Sequence, residues 1–169
     1  MAEPFEHTRH RNWLESILRY IPGFRGYLEK EYRRDSDDLQ RRWLIQRLDT
    51  CRRSLDDLTG LIVESCNIDV LPKVDAVRAK IDHLSARIGG AMEGYSGFFD
   101  LVRIDTDVLD RIYQHDVSLM AKVDRLASLV ENLPQCPADL SAALGDVEQG
   151  LEDLQRHWDG RTRILEGID

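Results

Sequence analysis

The sequence predicts an all-α fold: an elongated antiparallel helical bundle, coiled-coil-like, of about four to five helices. Three observations predict it. Apolar residues recur with a period near 3.6 residues in successive segments of the chain. No stretch sustains the period of two that a half-buried strand needs; the one strand-like piece, Phe98 to Ile104, is too short and isolated to make a sheet. The connections near 65–69, 89–104 and 134–139 are short, which predicts that successive helices turn back on one another.

The first element is the amphipathic stretch Arg11 to Pro22. Leu14, Ile17, Leu18 and Ile21 share one face, with Trp13 and Tyr20 at its edges. Pro22 stops it, and Gly23 and Gly26 permit a tight turn with positive φ. Phe24 and Tyr27 are expected to plug the corner. This divides the chain into an N-terminal amphipathic helix and Pro-Gly turn (1–26) and a single bundle domain (27–169).

A long helix is expected over about 27–64. Leu44, Leu48, Cys51, Leu55, Leu58 and Ile62 follow spacings of 4, 3, 4, 3 and 4. Leu28, Tyr32, Leu39 and Trp43 extend an apolar side toward the N-terminus, shifted by about one residue. Asp35-Ser36-Asp37-Asp38 forms helix poorly and suggests a break there. The next stripe is Val70, Val74, Val77, Ile81, Leu84 and Ile88, with Pro72 suited to a first turn and Gly89-Gly90 as the expected stop. Val108, Ile112, His115, Leu119, Val123, Leu126, Val130 and Leu133 make another. Asp105, Thr106 and Asp107 offer it N-cap oxygens, and Pro134 and Pro137 end it. The last runs Leu140, Leu144, Val147, Leu151, Leu154, Trp158 and Leu165, weakened locally by Gly145 and Gly150. Acidic side chains are mostly Asp, a weak helix former, so these helices depend on burying their stripes.

Composition narrows the function classes. The chain has 169 residues, 42% hydrophobic and 32% charged, enough for one domain-sized core. No apolar run reaches the roughly 18–20 residues that span a bilayer, and the polar stretch Met1 to Arg11 lacks a signal-peptide core. Net charge is −8. Residues 1–53 hold 12 basic against 9 acidic side chains, while the rest hold 11 against 22. That acidic two-thirds would repel phosphate, which argues against nucleic acid as a partner. Cys51, Cys66 and Cys136 form no CxxC pair and no zinc spacing, as expected of a reducing cytosol. Cys51 falls on the apolar stripe, where a thiol acts as a small hydrophobe.

Candidate chemistry is sparse. His7 and His10 lie three apart in a polar terminus that is expected to fray. His115 sits on a stripe beside Asp116 and is expected to be a core histidine hydrogen-bonded to a neighbour, with pH-sensitive packing as its functional option. His157-Trp158 suits packing. There is no HExxH, no GxSxG and no supported catalytic triad, so no catalytic residue, cofactor or metal is assigned and a non-enzymatic protein is expected.

The block Ile21-Pro22-Gly23-Phe24-Arg25-Gly26-Tyr27-Leu28-Glu29-Lys30-Glu31-Tyr32-Arg33-Arg34-Asp35 resembles one in a family of uncharacterised bacterial all-helical proteins. So do Gly94-Tyr95-Ser96-Gly97-Phe98-Phe99-Asp100 with its continuation to Ile104, and Leu109 to Asp116. The resemblance implies an all-helical bacterial protein and supplies no catalytic residue. The expected function is interaction or scaffolding through helix–helix contacts, with a protein partner or a second copy, using apolar residues at the ends of the long helix. The alternative is a cytoplasmic adaptor peripheral to the inner membrane face. It would use Trp13, Leu14, Ile17, Leu18, Tyr20, Ile21, Phe24 and Tyr27, with Arg9, Arg11, Arg19 and Arg25 toward lipid phosphates.

Overall fold

The computed structural model describes residues 12–26, 30–65, 68–91, 106–134 and 137–166. Among them 90% are helical and none is in a strand, as the periodicity predicts. Residues 12–18 form α1, and Lys30–Glu64 form α2. A 3-10 turn, Ile68–Val70, leads into α3, Leu71–Gly90. Thr106–Glu131 form α4 and Pro137–Glu166 form α5. No helix of the described residues is long and apolar enough to cross a membrane.

At 1.5 Å per residue, the 35 residues of α2 make a rod of about 52 Å. No break occurs at Asp35-Ser36-Asp37-Asp38, contrary to the propensity argument. Ser36 and Asp37 are buried there, and tertiary bonds described below outweigh a propensity cost of a few tenths of a kcal/mol per residue. The glycine stop also differs. α3 does end at Gly90, but its capping residue Ala91 is right-handed, so the stop uses no left-handed glycine. Pro72 does sit in the first turn of α3, and Pro137 opens α5 rather than only ending α4.

Cross-helix pairs fix the directions. Arg78 meets Asp56 and Arg52 meets Asp82, so α2 and α3 are antiparallel. Asp116 meets Arg161 and Leu126 lies beside Gly150, so α4 and α5 are antiparallel too. Arg47 meets Asp124, and Asp37 and Asp116 share Arg161, which sets α2 beside α4 in the same direction. Lys73 meets Ser141, Lys80 meets Glu148 and Arg87 meets Asp159, which sets α3 parallel to α5. Two hairpins therefore lie side by side, pointing the same way, with α3 and α4 at opposite corners.

One stripe from each long helix fills the centre. Leu44, Leu48 and Leu55 of α2 and Leu119 and Val123 of α4 are fully buried. Each such side chain contributes on the order of 1.5–3 kcal/mol through removal from water. α1 and its turn close one end of the bundle, called here the capped end. Ile17, Ile21 and Phe24 join the core, while Trp13, Leu14 and Tyr20 pack against it. Tyr20 meets Trp43 edge-on, ring centroids 5.4 Å apart. Tyr32, Leu39 and Trp43, the shifted apolar side of α2, are thus half-buried flanking positions rather than the centre of the seam.

Candidate functional site

At the capped end the α2 stripe continues in register but changes chemistry. Stepping back from Leu44 by four, three and four residues reaches Gln40, Asp37 and Arg33, all buried. The same happens on α5, where the seam between Trp158 and Leu165 is filled by Arg161, which is fully buried. On α4 the corresponding residue is Asp116, also fully buried.

Gln40, Asp37, Arg161 and Asp116 meet in one layer. Arg161 Nε donates to Asp116 Oδ1 at 2.7 Å. Its Nη2 donates to Asp37 Oδ1 at 2.7 Å and to Gln40 Oε1 at 2.9 Å. The other oxygen of Asp37 pairs with Arg41 Nε at 2.8 Å. The guanidinium of Arg161 also lies over the Trp158 ring, 5.5 Å from its centroid. Arg41, Asp37, Arg161 and Asp116 thus form a neutral quartet. Such a set is tolerable in the core only because each charge has a counter-charge beside it. Buried atoms are left over all the same: Arg41 Nε and Nη1 are both buried without a hydrogen bond, the contact of Arg41 with Asp37 being an ion pair only.

The layer also supports the N-terminal turn. Ser36 Oγ donates to the carbonyl of Gly26 at 3.0 Å. Gly23 and Gly26 both have positive φ, +89° and +86°, as their spacing suggests. Gly26 is constrained a second time, since a Cβ there would lie 2.5 Å from the hydroxyl of buried Tyr113. Only glycine satisfies both demands.

One turn along the α4–α5 seam, His115 and His157 stack. Their ring centroids are 3.8 Å apart with planes 8° from parallel. His115 Nε2 donates to the carbonyl of His157 at 2.6 Å, and His157 Nε2 donates to the carbonyl of His115 at 3.3 Å. A carbonyl only accepts, so each ring carries its proton on Nε2. A Cβ at Gly160 would lie 3.2 Å from His115 Cε1, so the stack uses the space a glycine leaves. Burial pushes the His157 pKa below its ordinary 6.5, and the neighbouring His115 pushes it the same way.

Other candidates fall as follows. His115 is half-buried, bonded to a backbone carbonyl rather than to Asp116; Trp158 is buried, as expected. Cys51 is buried and its thiol is pushed up to about 11, first by desolvation, which keeps it protonated and unreactive. Of the contact face expected for a membrane or partner, Ile17, Ile21 and Phe24 are buried in the core, Trp13, Leu14 and Tyr20 half-buried against it, and Leu18 exposed. Lipid contact by the buried three would require this segment to leave the bundle. Tyr27, Leu28, Cys66, Cys136, His7, His10 and the stretch 92–105, with the strand-like piece, lie outside the described residues. No group of three or more His, Cys, Asp or Glu among the described residues is arranged to hold a metal ion. Two open grooves flank α4. One of about 400 Å³ is lined by Asn12, Trp13, Ser16, Asp110 and Gln114; the other, about 390 Å³, runs along the α4–α5 seam past Lys122 and Asp153.

The fold and its site define a bundle of two parallel-packed hairpins with a charged layer at the capped end. Comparison with protein-family models, with curated proteins and with solved structures finds no match.

Proposed function

We propose that this protein is a non-enzymatic interaction or scaffolding protein that works through helix–helix contacts, with a second copy of itself as the first partner. The supporting observation is where large apolar side chains remain in water. Leu61 (48% exposed), Val63 (54%) and Ile68 (61%) lie within eight residues of one another at the α2–α3 corner, the end opposite α1. Elsewhere the seams are satisfied within the chain; of the large apolar side chains described, only Leu18 joins these three in being exposed. Aliphatic surface left in water gains by being covered, at roughly 25 cal/mol per Å².

Light scattering after size exclusion tests this reading. Self-association that is lost in the Leu61→Ser/Ile68→Ser variant, with unchanged circular dichroism, supports it. One-chain mass for both proteins at every concentration removes self-association. A stoichiometric metal in protein purified without a histidine tag would overturn the non-enzymatic part.

A further inference from the structure

We infer that the His115–His157 stack is a proton-sensitive latch between α4 and α5, closed when both imidazoles are neutral and loosened when they take up protons. The geometry carries the inference. Each Nε2–H is committed to the other residue's carbonyl, so an added proton must go to Nδ1 and turn each ring into a cation. Two cations with centroids 3.8 Å apart in parallel planes repel at a separation water cannot screen, because no solvent fits between the rings. The neutral rings stack without that penalty.

The charges around the pair do not relieve it. From α4, Lys122 opposes a second positive charge and Asp116 favours one. Asp116 is already engaged by Arg161 of α5. On α5, Asp153 is paired with Arg156, and Asp159 is paired with Arg87 of α3. From α2, Asp37 reaches this region only through the same Arg161, with Arg41 on its other oxygen. Each of these four carboxylates thus has a guanidinium partner, so none of them is a free anion beside a doubly charged stack. His157 also loses solvation on folding, which favours its neutral form further.

The sign of the pH effect follows. A histidine whose folded pKa lies below its unfolded value of about 6.5 binds fewer protons when folded. Stability is therefore full above pH 6.5 and falls as pH drops from there toward the folded pKa. Protonation adds positive charge one residue from Asp116, at the turn where Arg161 ties α5 to α4 and α2. Loosening is expected to begin at that end of the α4–α5 seam.

The test is thermal melting of the full chain between pH 7.5 and 5.0, with His157→Gln and His115→Gln beside wild type. Glutamine keeps a donor without the titration. The wild-type melting temperature is expected to fall by on the order of 2–4 °C more than that of either variant across this range. A merely structural role would lower each variant by the same amount at every pH. Parallel pH profiles for all three proteins would overturn the latch. So would an NMR titration in which His157 protonates at or above pH 6.5. Faster amide exchange at pH 5.0 in residues 111–119 and 154–161, absent from His157→Gln, is the expected local signature.

Discussion

The α2 seam is aliphatic from Leu44 to Ile62 and polar from Arg33 to Arg41, and both halves are buried to the same degree. The comparison separates two properties that usually travel together. Periodicity decides which side chains face the axis; composition decides how the layer formed there holds together. The aliphatic half is stabilised by removal from water and packs without directional demands. The polar half holds through directional bonds, which tie α5 to α4 and α2 at defined atoms of Arg161. It gives the capped end a specific partner choice, where the aliphatic half offers only a filled volume.

Breaking the polar layer on one side gives the largest expected effect. Arg161→Met takes the guanidinium away from buried Asp116, leaves Asp37 with Arg41, and should cost about 3–5 kcal/mol in urea denaturation. Removing both partners sharpens the contrast. Asp116→Leu/Arg161→Met leaves Asp37 paired with Arg41 and should return to within about 1 kcal/mol of wild type. A double variant as unstable as the single one would mean that the charges themselves hold this end together. The aliphatic counterpart, Leu48→Ala, should cost about 2–5 kcal/mol with no rescue by any second charge change.

Two smaller effects probe the edges of the same comparison. Gly26→Ala meets both a positive φ and the Tyr113 hydroxyl, and is expected to cost roughly 2 kcal/mol. Gly23→Ala, with similar φ but open space around it, should cost about 1 kcal/mol, so their difference isolates the contact with α4. The half-exposed pair Arg47–Asp124 lies outside both core layers, and Arg47→Ala should change stability by less than about 1 kcal/mol. Chemical denaturation of the three variants under one buffer checks the ranking.

Much of the fold was legible because heptad spacing is a local property. The stripes through Leu48, Ile81, Leu119 and Leu151 place their residues inside without reference to any other helix. The site was legible in outline only. The stripe on α5 skips from Trp158 to Leu165, and the vacant position is Arg161. The α2 stripe extrapolates to Gln40 and Asp37, and Asp116 is one residue from the histidine chosen from α4. Charged residues ordinarily face solvent, which hides Arg161, Asp37 and Asp116, since a lone buried charge is prohibitive and nothing local shows that its partners arrive from other helices. The histidine stack was hidden for a related reason: it joins positions 42 residues apart.

By itself, the chain's pattern of apolar residues determined the helices, their buried faces and the positive-φ turn at Gly23 and Gly26, because each depends on neighbours a few residues away. Tertiary structure alone decided that the hairpins run parallel, that Asp35 to Asp38 continues a helix, and that Arg161 lies at the axis. Those outcomes depend on which surfaces meet across the bundle. A buried charge is stable only once its distant counter-charge has arrived.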